Sequence, residues 1–401
     1  MKRAKKLGLV LAVIVLLSQI PFAYRRYKLG KLNAQIQVIN SSRRSLQNNP
    51  SWTEYKGVAH VHSFLGGHST GSFSEIISAA AANQLHFVIM TEHLEQEFDT
   101  AEMTLKGQHG GVLFVNGNEI STADGERLLV VPSQGSLTDA TKGSMSDLLT
   151  RVESQGYLAI AAYPEAFNSW DGNGLDGVEV FNVYSNARRI NPVVAFFDVL
   201  WSRRSYPDLL FATFYSRPTE NLKLWDQLLA RKRLTAMAGN DAHANIGFNL
   251  QNRSGEPILA LQLDPYEVSF RLVRLHVLIP KKQALTAESV KEAIKAGHCF
   301  IGFDLFGDTS GFSFTAENST GTKIQGDEIN LEGTKLKIEV PVEGRIVLFK
   351  DGNVHIDETG VSTRVYDVAE RGVYRVEVYL PPLGKPVGEQ PWIISNPIYV
   401  R

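Results

Sequence analysis

The stretch GVAHVHSFLGGHSTGS, residues 57–72, places three of the chain's ten histidines close behind an apolar start. His60 and His62 stand two apart, so on a strand of period two their side chains share a face. Alone, such a pair is weak evidence of a metal, because histidines also occur on ordinary half-buried strands. Its meaning depends on whether further donors recur along the chain.

They do recur, at the ends of short apolar runs. HFVIMTEH (86–93) ends in His93, GVLFVNGNEIS (111–121) carries Glu119, and RLTAMAGNDAH (233–243) closes on Asp241 and His243. Three more runs have the same character: RLLVVP (127–132), GYLAIAAYP (156–164) and DGVEVFN (176–182). Helical stretches separate them, and SFSEIISAAAANQ opens with Ser72 and Glu75 at capping-box spacing. Near-continuous apolar strands alternating with helices predict an α/β fold with a largely parallel sheet covered on both faces. In a β/α barrel the site forms at the C-terminal ends of such strands.

Each donor taken singly has an ordinary explanation, as a satisfied strand-end histidine or a helix cap. Jointly they bring imidazoles and carboxylates to the same end of four strands. Neutral imidazole suits zinc, iron or manganese, and carboxylates bridge pairs of ions. With no thiolate among the donors, a hydrolytic site is more natural than a structural zinc. A multinuclear centre acidifies water and neutralises charge on substrate oxygens.

HVH, then His68 six residues after His62, then TEH, a strand-end glutamate and a D-x-H together resemble the PHP family, named for polymerase and histidinol phosphatase. The likeness covers roughly residues 56–300. GHSTGSFSEI and the closing PWIISNPIYV look nearer to its carbaryl-hydrolase-like branch. The resemblance implies a distorted seven-stranded (β/α)7 barrel, two or three divalent ions (zinc, manganese or iron) and phosphoesterase activity through a metal-bound hydroxide. Carried over residue by residue, it implies one ion on His60, His62, Glu119 and Asp241, and another on His68, His93 and His243. At the remaining family position the chain departs from the pattern. Glu126 and Tyr163 stand where the family has histidines, and no histidine lies between residues 110 and 242. Glu126 could ligate through oxygen, and Tyr163 could ligate or hold a substrate oxygen; the other possibility is that this metal position is not used.

Glu179 and Asn182 lie at a strand end, as lining residues or as supports for the ligands. Arg188, Arg189 and Arg217 are candidates to clamp a phosphate, since a guanidinium fork matches its oxygens, and Arg189 and Tyr163 are taken as the catalytic pair. His276 and His298 fall outside the pattern and read as structural. No G-x-S-x-G elbow and no phosphate-cradling G-x-x-x-x-G-K-[ST] loop occurs. Cys299 is the single cysteine, so an internal disulfide is excluded, and it reads as a small buried residue.

The formal net charge is −1, which calls for no nucleic-acid partner; a small phosphoester or ester is the expected substrate. At 401 residues the chain is long enough for more than one domain. Leu7–Tyr24 is uncharged between MKRAKK and RRYK, and reads as a membrane anchor in preference to a cleaved signal, because Pro21 disturbs the cleavage pattern. Either reading sends the rest of the chain out of the cytoplasm, to the cell envelope or beyond. Residues 1–24 are thus an anchor or signal, 25–50 a polar tether, 51–305 the metal-dependent hydrolase domain and 306–401 a small antiparallel β-sandwich. That last reading rests on the period-two runs KLKIEVPV, RIVLFKDG and YRVEVYL. Two rival functions share the same metals: hydrolysis of a carboxylic or carbamate ester, and a non-catalytic metal-bearing module at the membrane surface.

Overall fold

The computed structural model describes the chain apart from residues 1, 45, 47–50, 134–136, 138–142, 188–190, 214, 246, 252–256 and 263. Arg188 and Arg189 therefore lie outside the described residues. Nine helices of the described chain are α1 (Lys2–Ser41), α2 (Phe73–Ala82), α3 (Thr100–Met103), α4 (Met145–Ser154), α5 (Val183–Ala187), α6 (Pro192–Ser202), α7 (Thr219–Leu229), α8 (Tyr266–Leu272) and α9 (Ala287–Lys295). The first strands are β1 (Trp52–Val61), β2 (Phe87–Met90), β3 (Glu92–His93), β4 (Gly107–His109) and β5 (Val112–Val115). They are followed by β6 (Asn118–Ser121), β7 (Arg127–Val131), β8 (Leu158–Ala162), β9 (Gly177–Asn182) and β10 (Thr235–Gly239). A two-stranded ribbon, β11 (Gly247–Gln251) and β12 (Pro257–Gln262), precedes β13 (Arg274–Pro280) and β14 (Cys299–Gly302).

The apolar runs become buried strands, as their lack of alternation requires: β2, β5, β8 and β10 are buried along their whole length. They divide between two sheets, one containing β13-β1-β2-β5-β4 and the other ordered β10-β9-β8-β7-β6-β3. Parallel pairing holds for β1-β2-β5, β8-β9-β10 and β3-β6. It fails for β6-β7-β8 and for β1-β13-β14, which are antiparallel. The short turn 122–126 explains why β7 runs against β6, since parallel neighbours need a crossover of a dozen or more residues.

The ladder does not run as a continuous ring. Between β1 and β10 it reduces to an isolated parallel bridge, Val61 to Ala242, with Asn240 N donating to Ala59 O at 2.9 Å and Ala242 N to His60 O at 3.2 Å. The interruption falls where His60 and Asp241 take φ of 62° and 48°, outside the extended range that a regular ladder requires. The candidate ligands thus sit at the seam between the sheets.

The C-terminal strands are β15 (Ser313–Asn318), β16 (Gly321–Ile324), β17 (Glu328–Ile329), β18 (Lys335–Lys350), β19 (Asn353–Asp367), β20 (Gly372–Tyr379), β21 (Pro391–Ser395) and β22 (Ile398–Val400). KLKIEVPV and RIVLFKDG form one long strand, β18, whose pairing with β19 shifts register between Glu339 and Gly344. Asp351 and Gly352, with φ of 49° and 77°, make the tight turn into β19, a strand with no apolar alternation to announce it. These strands belong to the first sheet, because β21 pairs antiparallel with β14 and with β20.

The polar tether expected after residue 24 is not what forms over 25–41. α1 continues to Ser41 and buries Leu29, Leu32, Ile36 and Ile39 against the body of the protein. Those four positions recur at helical spacing, a stripe that the many basic and polar residues around them conceal. The apolar first half stays uncovered and is the one described helix long and apolar enough to cross a membrane.

Candidate metal centre

Four side chains meet at the seam. His60 Nε2 lies 3.3 Å from Glu119 Oε2 and 3.4 Å from Asp241 Oδ1, and His62 Nε2 lies 3.4 and 3.5 Å from the same two oxygens. An ion with tetrahedral bonds of about 2.1 Å separates its donors by about 3.4 Å. All four residues are buried. Both ring nitrogens of His62 and Oδ1 of Asp241 have no hydrogen-bond partner, although they are fully enclosed. Buried polar atoms are rarely left so, and here His62 Nε2 and Asp241 Oδ1 lie 3.5 Å apart beside the donors of His60 and Glu119. On this observation the donor set fits a divalent cation.

A second group joins the first. His62, His93 and His243 also bring donor atoms within 4.8 Å of one another. The His62 ring stacks on each of theirs, with centroids 4.6 Å from His93 and 4.2 Å from His243, which are themselves 6.1 Å apart. His68 stands at the rim, edge-on to His93 at 5.2 Å, and falls outside both convergent groups.

Local backbone arranges this convergence. β1 and β2 lose register between Val58 and Val61, and the resulting irregularity turns His60. Ser63 follows, its N–H and hydroxyl both donating to the buried carboxylate of Glu92, which also accepts from Thr104. Glu92, in the TEH motif beside His93, thus fixes the loop that carries His62. Tyr163, like His60 and Asp241, is left-handed, at φ 49°. Three such residues around one point match the tendency of strained backbone to gather at functional sites.

Glu179 supports His60, its Oε1 lying 2.6 Å from Nδ1. Asn182 donates to Glu179 at 3.0 Å and to Asp241 at 3.3 Å. A carboxylate on the far nitrogen of an imidazole orients the ring and raises its basicity toward an ion. Burial opposes charge on His60, but Glu179, Asp241 and Glu119 outweigh it and raise its pKa well above the usual value. Burial pushes His62 down to about 3 and His93 down to about 4, leaving both as neutral donors. Despite their burial, Glu119 and Asp241 are held below the ordinary carboxylate range by the surrounding histidines.

The residues at the departing position divide. Glu126 is turned away and accepts from the backbone N–H groups of Asn168 and Ser169 and from the Ser169 hydroxyl, so it pins a loop. Tyr163 faces the centre and donates to Asp241 Oδ2. Burial and the neighbouring carboxylates keep its phenol protonated. Arg127, missed in the sequence because it opens the apolar run RLLVVP, binds Glu119 Oε1 at 2.8 Å and lies over the Tyr163 ring at 5.1 Å. Arg217 is not at the site; it pairs with Glu377 through Nε and Nη2. His276 bonds Glu54 at 2.6 Å and His298 bonds Asp327 at 2.9 Å, both away from the centre. Cys299 is fully buried.

Above the ligands opens a cleft of about 440 Å³, lined by His68, His93, Glu119, Arg127, Tyr163, Tyr184, Asp241, His243 and Asn245 among others. That volume suits a small molecule.

No family model matches the chain, and neither does any curated protein. Among solved structures, the chain is similar to a two-domain protein from Bacteroides vulgatus that contains a predicted PHP-like metal-dependent phosphoesterase. The identity is 15%, the TM-score 0.41, and the match covers 88% of this chain and 98% of the other. A second similarity is to PsfC from Pseudomonas syringae, at 14% identity and a TM-score of 0.38, over 61% of this chain and 90% of that one.

Proposed function

We propose that the protein is a metal-dependent phosphoesterase of PHP type, anchored in a membrane by α1, with residues 51–305 as the catalytic part and 306–401 as an attached β unit. The observation that carries this reading is the set of unpartnered, buried donor atoms of His62 and Asp241, spaced with His60 and Glu119 as tetrahedral ligands are. His60, His62, Glu119 and Asp241 would hold one ion; His93 and His243, with His68 closing from the rim, would hold a second. Bound there, divalent ions would activate water and offset charge on the substrate.

The chain's own residues supply the rest. Arg127 stands in the cleft with a guanidinium suited to phosphate oxygens, which favours phosphorus over an acyl ester. Its hold on Glu119 Oε1, together with the outward turn of Glu126, supports a centre of two ions rather than three. Tyr163 donates a hydrogen bond to Asp241 Oδ2 and so fixes the carboxylate whose other oxygen would face the ion. The hydroxyl is placed to turn to a substrate oxygen when substrate enters.

The test is elemental analysis of the full chain in detergent beside His62→Ala and Asp241→Asn, with phosphomonoester, phosphodiester and carboxylic ester substrates. Two ions per chain, lost in the variants along with phosphoesterase turnover, are expected. Arg127→Ala, assayed with enough added metal to keep the ligands filled, should raise KM for phosphoesters about tenfold or more, as loss of a charge-assisted contact does. Turnover of carboxylic esters alone would overturn the assignment to phosphorus.

A further inference from the structure

α6 (Pro192–Ser202) reads PVVAFFDVLWS and exposes large apolar side chains. Val193 is 62% exposed, Phe196 42% and Leu200 67%. The spacing of three and four puts them on one helix face. The neighbouring face is held against α1: Phe197 stacks on Phe22 at 4.7 Å, Asp198 pairs with Arg25 at 2.5 Å, and Trp201 Nε1 donates to Gln19 Oε1 at 3.0 Å.

The position of these contacts along α1 matters. Gln19 and Phe22 lie within the uncharged run that ends at Tyr24, and at 1.5 Å per residue Gln19 is about 7 Å inside it. Helices lying in a membrane interface bury their apolar face by about 5–10 Å. Beyond Tyr24 come Arg25, Arg26, Tyr27, Lys28 and Lys31, with Lys28 over the Tyr24 ring at 5.5 Å and Lys31 over Tyr27 at 5.1 Å. Tyr24 and Tyr27 are each 57% exposed. Aromatic and basic residues of this kind mark the level of the lipid headgroups. α6 is therefore attached to α1 at the depth where an interfacial helix belongs, with its uncovered face apolar.

We infer that α6 is a membrane-embedded interfacial helix, its Val193, Phe196 and Leu200 face seated among the acyl chains of the bilayer that α1 spans. The occupant of that face is lipid. The inference rests on α1 spanning the bilayer and is independent of metal binding and turnover.

The experiment uses the full chain in phosphatidylcholine–phosphatidylglycerol vesicles containing an acyl-chain spin-labelled lipid. An environment-sensitive fluorophore is attached in turn to Ile20→Cys, Phe196→Cys, Leu200→Cys and Val354→Cys; Cys299 is buried and does not compete for the label. Unchanged thermal unfolding of each variant shows that it is folded. Strong quenching at 20, 196 and 200, with none at 354, is the expected result. Quenching at 20 without quenching at 196 and 200 would overturn the inference, as would the absence of quenching at 20. Protection at 196 and 200 that grows with protein density instead of lipid contact would also overturn it, and would assign the face to a second copy of the chain.

Discussion

At the scale of the residue, the centre depends on positions where no other side chain fits. A Cβ on Gly239 would stand 1.7 Å from Glu179 Oε1 and 2.9 Å from the Cβ of His60. Gly239→Ala should therefore force Glu179 from His60 Nδ1 and weaken metal retention by about tenfold to a hundredfold, as loss of such supports does, read by competition with a chelator. His93 gives a pH dependence. Its pKa is lowered to about 4 in the folded chain by burial, against an ordinary 6.5. The unfolded chain then binds the proton more readily, so stability from this group is present above about pH 6.5 and is lost as pH falls toward 4. His60, with its pKa raised, contributes in the opposite sense, so the comparison must isolate His93. In metal-free protein, denaturant unfolding between pH 7 and 4 should show a stability slope for the native chain exceeding that of His93→Gln, by roughly 1–3 kcal/mol over the interval.

At the scale of the element, β1 and the loop after it show how sequence becomes site. H-x-H on a regular strand points two rings to one face, but the irregularity at His60 and the clamp of Ser63 on Glu92 determine where those rings go. Glu92→Ala would leave the Ser63 and Thr104 donors buried without an acceptor, and should cost roughly 2–4 kcal/mol in urea unfolding. Glu126→Ala should retain the full metal content, since its carboxylate serves the loop at Asn168 and Ser169; loss of an ion in that variant would return Glu126 to the ligand set. The capping box at Ser72 was legible because it is local: Ser72 Oγ accepts from Glu75 N, and Glu75 accepts from Ser72 N at 2.7 Å. Arg127 was not legible, since at the head of an apolar strand it resembles any flanking charge.

At the scale of the whole molecule, the C-terminal strands are joined to the rest by charge as well as by the sheet. Arg375, 1% exposed, binds Asp226 of α7 at 2.6 and 2.7 Å and Glu377 at 2.7 Å, while Glu377 also holds Arg217. Removing one member leaves the others charged and enclosed, so Glu377→Ala should destabilise the chain by about 3–5 kcal/mol in denaturant unfolding. With β21 filling the edge of β14, a chain ended at residue 305 should expose an apolar strand edge and self-associate on purification, which size-exclusion chromatography would show.

The sequence by itself determined the apolar strands, the cap of α2, the hairpin at Asp351-Gly352, the uncharged run of α1 and the residue types of the centre. All of these follow from local period, turn chemistry or composition. Only the tertiary structure decided which donors converge, that Glu126 faces away while Arg127 faces in, that α1 extends over residues 25–41, and that β14 and β21 share a sheet. Those outcomes depend on contacts between residues far apart in the chain, and on two left-handed residues at the seam. No local pattern encodes them, because the same side chain serves as ligand, support or surface charge according to what the fold sets opposite it.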